Sequence, residues 1–202
     1  MEEFIKKQIW ARAVLNGYLS ENKDFVDSII QSYKLMASAL KNGRKILIFG
    51  NGGSGDQSQH LAAELVGKLE RSRRPLAAIA LTTGTSVLTA QSNDSGFEYI
   101  FSRQIEALGK AGDVAIGFTT SDVNFENKHS ENIYKAFEAA RNVGMKSVGF
   151  FSMKTKKLLP LVDVSIIVPN KSTSLIQEIH LEVLHLISKL LEDFIIDDAF
   201  TE

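Results

Sequence analysis
Five short apolar runs recur along the chain with helical stretches between them, and this alternation limits the fold more than any single motif does. The runs are Lys45–Phe49, Leu76–Leu81, Val114–Phe118, Ser147–Phe151 and Val164–Val168. Helical patterning falls near Ser54–Glu70, Phe97–Leu108, Ser130–Val143 and Ser172–Phe194. Strand, helix, strand in repetition requires right-handed crossovers, which predicts an α/β fold with a parallel sheet covered on both faces. Two helical segments precede the alternation. The first carries Phe4, Ile5, Ile9, Trp10, Val14, Tyr18 and Leu19 on one face, and the second Phe25, Val26, Ile29, Ile30, Tyr33, Met36 and Leu40. Both read as packing helices. The three prolines, Pro75, Pro160 and Pro169, each lie beside a predicted strand, and no linker or repeat interrupts the chain. The expectation is therefore one domain over 1–202, with N-terminal helices over 1–42 and an α/β core over 43–196.

Parallel sheets of this kind place ligands beyond the carboxyl ends of their strands. The first such loop reads Gly50-Asn-Gly-Gly-Ser-Gly55 and matches the G-x-G-x-x-G pattern of dinucleotide sites. A dinucleotide also needs an acid at the end of the next strand to hold the ribose hydroxyls. That strand ends Ala80-Leu-Thr-Thr-Gly84, without an acid, and Asp56 puts a negative charge at the helix start. Glycines and helix-start amides still favour some anion. Thr119-Thr-Ser121, after the third strand, adds hydroxyls suited to a phosphate monoester, as does Ser54.

His60 and Glu64 are four apart on the helix after the glycine loop, so they share a face. That spacing suits metal ligation or a paired acid and base, and it also suits a plain solvated pair. The last helix, apolar through Leu175, Ile176, Ile179, Val183, Leu184, Ile187, Leu190 and Leu191, interleaves Gln177, Glu178, His180 and His185. Buried histidines in so apolar a helix need polar partners. One of the two is readily a satisfied core residue, and both being so is less expected.

Composition limits the classes of function. A formal net charge of −1 gives no reason to expect a nucleic-acid partner. The chain contains no cysteine, which excludes disulfides and thiolate metal sites and fits a reducing compartment. No signal-peptide core opens the chain, and no uncharged apolar run approaches the ~20 residues of a membrane span. A cytoplasmic protein is expected.

Several stretches together resemble the sugar isomerase (SIS) fold, and within it the phosphoheptose isomerase family. They are Gly50-Asn-Gly-Gly-Ser54, Gln59-His-Leu-Ala-Ala-Glu64, Pro75 through Thr82, Ser86-Val-Leu-Thr-Ala90 with Asn93-Asp94, Phe101-Ser-Arg-Gln104, and Ile176-Gln-Glu-Ile-His180 with His185. The resemblance spans about Lys45 to Leu191. It implies a three-layer SIS fold with a five-stranded parallel sheet. It implies a homotetramer with active sites at subunit interfaces, a small phosphorylated sugar as ligand, and one zinc per subunit held by His60, Glu64, Gln177 and His185. Glu64 and His185 are implied as the acid–base pair. Asn51, Gly52, Gly53, Ser54, Glu64, Asp94, Thr119, Thr120, Ser121, Ser130 and Gln177 match substrate-contacting positions. The implied reaction converts sedoheptulose 7-phosphate to D-glycero-D-manno-heptose 7-phosphate through an enediol. Gln177 and His185 are eight apart, about 12 Å along a regular helix, so they reach one ion only by leaning together or from two subunits.

The chain departs from the family pattern at four places. Gln57 replaces an aspartate, Gly84 replaces another, and Leu175 replaces an arginine. The family's Ser-Thr-Ser-Gly-Asn-Ser becomes Thr119-Thr-Ser-Asp-Val-Asn-Phe-Glu-Asn-Lys-His-Ser130, a longer loop with Asp122 where glycine is usual. An aspartate there repels phosphate unless it points away, with Lys128 or His129 available to compensate. Two alternatives stand beside the leading expectation: an isomerase for another phosphosugar, and a non-catalytic adaptor of the same fold. Glu64 and His185, which the adaptor lacks, favour catalysis.

Overall fold
The computed structural model describes residues 1–199. Two helices open it, α1 (Glu2–Glu21) and α2 (Lys23–Lys41), followed by β1 (Ile46–Gly50), α3 (Gly53–Val66), β2 (Ala78–Ala80), α4 (Thr85–Asp94) and α5 (Ser102–Leu108). Then come β3 (Val114–Phe118), α6 (Glu131–Val143), β4 (Lys146–Ser152), β5 (Val164–Val168) and α7 (Thr173–Ala199). The five strands are all parallel, in the order β2-β1-β3-β4-β5.

The period-two alternation of each strand sends its side chains to opposite faces. Ile46, Ile48, Val114, Ile116, Phe118, Val148 and Phe150 pack with Met36, Leu40, Leu61, Leu65, Ile176, Val183 and Leu184 from α2, α3 and α7. Leu47, Phe49, Ala115 and Phe151 pack on the other face with Ile105, Ile133, Ala136, Phe137 and Ala140 from α5 and α6. The expected three layers are present.

Four local expectations change. The helix after β1 ends at Val66 rather than Glu70. There the Gly67 amide donates to the Ala63 carbonyl, and the Arg73 guanidinium donates to the carbonyls of Glu64, Leu65 and Gly67, closing the helix end. The stretch read as Phe97–Leu108 is a 3-10 turn at Phe97–Tyr99 followed by α5, with Gly96 at φ +111° before it. The short helix α4 lay hidden because each of its residues is exposed or half-buried, which leaves no apolar periodicity to read. In α1, Leu15 and Leu19 are buried, but Phe4, Ile5, Ile9, Trp10, Val14 and Tyr18 face outward, with Trp10 70% exposed. Among the described residues that apolar face is left exposed.

Candidate active site
β1 and β3 are neighbours, with Gly50 in register with Phe118, so the glycine loop and the Thr119–Ser121 loop leave the sheet side by side. Gly50 has no room for a Cβ against the Ser54 backbone carbonyl, and Gly52 caps α3 at φ +53°. The amides of Ser54, Gly55 and Asp56 donate within the turn, to the carbonyls of Asn51 and Gly52. A cavity of about 230 Å³ opens against Asn51, Gly52, Asp56, Gln59, Thr82 and Phe97. Asn51 is locked by Asn132 of α6: Asn51 Nδ2 donates to Asn132 Oδ1 at 3.0 Å, and Asn132 Nδ2 donates back at 2.7 Å. Asn132 is buried. The sequence offered no sign of this residue, because a lone asparagine in the first turn of a helix reads as solvent-facing.

One turn further along α3, His60 Nε2 stands 2.9 Å from Glu64 Oε1. His185 of α7 brings its Nε2 to 3.1 Å from the same His60 nitrogen, with ring centroids 4.9 Å apart. One donor atom from each of the three lies within 4.8 Å of the others, and all three side chains are half-buried. A ring nitrogen carries either one proton or one lone pair. His60 Nε2 therefore serves one of its two neighbours well and not both. A cation among the three relieves this conflict, since each then offers a lone pair inward. Two imidazoles and a carboxylate are also a familiar zinc donor set. The site fits a metal on its donor chemistry.

The other histidine of α7 has a different role. His180 is fully buried between Phe118 and Phe150 and shares its Nε2 with the Phe151 carbonyl at 3.1 Å. Burial pushes its pKa down to about 4, partly opposed by that carbonyl, so it is neutral and donates. Of the two histidines, His180 is the core residue.

Gln57 and Gln177 tie α3 to α7 near the glycine loop. Gln57 Nε2 donates to the Gln177 backbone carbonyl at 2.6 Å. A carbonyl needs a donor, and an ionised aspartate has none to give, which accounts for glutamine at this position. Gln57 Oε1 is buried without a hydrogen-bond partner among the described residues. The Gln177 side chain lies over Gly53, where a Cβ would meet its Nε2 at 2.6 Å. The fold thus brings His60, Glu64 and His185 together and sets the Gln177 amide at the glycine loop.

In the next loop, Thr119 is buried and its hydroxyl donates to the Ser121 carbonyl while accepting from the Ser121 amide. Thr120 is half-buried and its carbonyl accepts from the Ser152 hydroxyl. Ser121 Oγ pairs with His129 Nε2 at 2.8 Å. Ser130 caps α6 in the left-handed region at φ +56°. Asp122 turns its carboxylate to the Lys157 amide, with both oxygens at 3.1 Å. Lys128 is engaged by Glu98 at 2.7 Å. Ser54 is buried, Gly52 and Gly53 are exposed, and Asp94 is exposed at the end of α4, accepting from Asn93.

Comparison with known proteins agrees with this arrangement. The profile of the SIS domain matches residues 11–152. The chain is 44% identical to the phosphoheptose isomerase of Geotalea daltonii over 193 residues, 95% of this chain and 96% of that one. It is 44% identical to that of Aquifex aeolicus over 171 residues, 85% of this chain and 86% of the relative. Among solved structures, phosphoheptose isomerase from Neisseria gonorrhoeae superposes with a TM-score of 0.84 at 34% identity, covering 95% of this chain and 98% of that one. The Francisella tularensis enzyme gives 0.87 at 31% identity, covering 95% and 97%.

Proposed function
Because the chain belongs to the phosphoheptose isomerase family of SIS-domain proteins, we propose that it interconverts sedoheptulose 7-phosphate and D-glycero-D-manno-heptose 7-phosphate. It is a sugar-phosphate isomerase, an intramolecular oxidoreductase. The observation that carries the reading is the convergence of His60, Glu64 and His185 one helical turn from a glycine loop that faces a hydroxyl-rich one. Ketose–aldose isomerisation moves a proton between neighbouring carbons while the two oxygens exchange theirs. In this proposal Glu64 and His185 divide those transfers, one group moving the carbon-bound proton and the other relaying between the oxygens. Asn51 and Ser54 bind sugar hydroxyls, as do Asp94 and the Gln177 amide beside Gly52 and Gly53. Thr119, Thr120, Ser121 and Ser130 hold the phosphate and orient the reacting carbons at a distance.

The bound metal is proposed to be zinc, held by His60, Glu64 and His185, with Gln177 as the further expected ligand. Zinc would polarise the carbonyl and stabilise the enediolate. The outward apolar face of α1, from Phe4 to Tyr18, supports self-association, and a cytoplasmic homotetramer with sites at its interfaces is the proposed assembly. In this proposal residues 1–202 act as a single SIS domain. No helix among the described residues is long and apolar enough to cross a membrane. The test is direct: purified protein with sedoheptulose 7-phosphate yields the aldose, and Glu64→Gln loses at least about a hundredfold in rate while keeping its melting temperature. No aldose from the wild type, or full turnover by Glu64→Gln, refutes the reading.

A further inference from the structure
The segment between Ser121 and Ser130 is a built hairpin. The Asn124 amide donates to the His129 carbonyl at 2.9 Å, closing an antiparallel bridge. Asn124 Oδ1 accepts from the Glu126 amide at 2.9 Å, and Asn127 Oδ1 accepts from the His129 amide at 3.1 Å, so both asparagines brace the turn. Val123 is buried in the α5–α6 side of the core. Phe125 packs edge-on against Tyr134 of α6 at 5.0 Å, with the Lys157 ammonium 5.2 Å from its ring. Lys128 reaches Glu98, beyond α4. Every flank of the hairpin is anchored, and its returning arm brings His129 to Ser121.

We propose that His129 is a positioning residue of the phosphate site, acting through the Ser121 hydroxyl; this rests on Thr119–Ser121 being the phosphate loop. The argument is one of proton inventory. The Thr119 hydroxyl proton goes to the Ser121 carbonyl and the Ser121 amide proton to Thr119 Oγ1, which leaves the Ser121 hydroxyl as the donor not spent within the loop. Its oxygen is 2.8 Å from His129 Nε2. If that nitrogen accepts, the serine proton is consumed and its lone pairs face the anion. If it donates, the serine proton is released toward a phosphate oxygen. The phosphate-bound state selects the donor tautomer, so the hairpin supplies an orienting hydrogen bond through His129. Asp122, whose carboxylate is held by the Lys157 amide, does not oppose this.

The test compares His129→Ala, His129→Gln, Ser121→Ala and the double variant in the full chain. The readouts are inorganic phosphate binding by calorimetry and steady-state kinetics with sedoheptulose 7-phosphate. His129→Ala is expected to weaken phosphate binding about five- to tenfold and raise KM by the same factor, with kcat within about twofold. His129→Gln, whose amide still donates, recovers most of the loss. The double variant is no weaker than Ser121→Ala. Unchanged phosphate affinity in His129→Ala overturns the proposal, as does a full additional loss in the double variant or a failure of glutamine to rescue. Melting temperatures within a few degrees of wild type identify variants whose hairpin is intact, and His129→Leu, which keeps bulk without a donor, replaces alanine and is expected to show the same loss if alanine unfolds it. Phosphate binding that depends on His129 in a wild type without isomerase activity keeps this inference and discards the proposed reaction.

Discussion
Asn51 and Asn132, 81 residues apart in sequence, exchange two side-chain hydrogen bonds and so weld the glycine loop to the first turn of α6. Neither amide is free to rotate without breaking both bonds. Asn132→Ala is expected to cost about 1–2 kcal/mol of stability, since it strands one half-buried amide. It should also lower kcat/KM by about tenfold through a mobile Asn51. Asn132→Asp, which still accepts but cannot donate, should fall between. Urea unfolding and steady-state kinetics check both, and an Asn132→Ala variant with wild-type turnover removes the positioning role.

The two histidines of α7 should separate cleanly in metal binding. Zinc added to metal-free wild type should raise the melting temperature, because a ligand bound only by the folded state stabilises it. His185→Ala should abolish that rise and lower zinc content on elemental analysis. His180→Gln should keep both, since His180 bonds to the Phe151 carbonyl and lies outside the His60–Glu64–His185 group.

The alternation of strand and helix was legible because each strand is a short apolar run, fully buried in β1 and β3, and all five lie where the runs lie. The helix α4 was not, because it buries too little to show a period. His180 and His185 could not be told apart by composition. Five residues turn a helix by about 140°, so one ring faces the sheet and the other faces α3, a distinction set by packing. Asn132 and the Arg73–Glu192 pair act through partners far away in sequence. Gln57 looked like a lost acid until the carbonyl it serves was in view.

His180 also predicts a pH dependence. Its folded pKa, about 4, lies below the ordinary 6.5, so between these values the unfolded chain binds the extra proton. Stability is fully kept above pH 6.5 and falls as pH drops toward 4, by about 3 kcal/mol at most. Chemical denaturation at pH 7.5 and 5 should show this loss. His180→Gln should flatten that part of the profile; an identical acid loss in the variant excludes His180 as its source.

Asp122 should not act as a phosphate repellent. Its carboxylate accepts from the Lys157 amide, so Asp122→Asn should leave KM for the sugar phosphate within about twofold and cost about 1 kcal/mol of stability. A markedly lower KM in Asp122→Asn contradicts this orientation.

Glu192 carries the largest predicted stability effect. It is fully buried in α7 and accepts from the amides of Leu69, Glu70 and Arg71, with the Arg73 guanidinium 3.8 Å away. Arg73 in turn donates to the carbonyls that end α3, including that of Glu64 itself. Burial pushes the Glu192 carboxyl up, but the three amides and Arg73 outweigh it and hold its pKa below the usual value. Its stabilisation is therefore present above the ordinary carboxylate range and lost as pH falls through the lowered folded value. Glu192→Ala should cost roughly 3 kcal/mol or more, because it leaves three amides without their acceptor and takes the counter-charge from a buried guanidinium. The same variant should bind zinc less tightly, since the end of α3 that carries Glu64 is then unsupported. Urea unfolding and zinc titration measure the two effects; a variant as stable as wild type removes this pair from the support of the site.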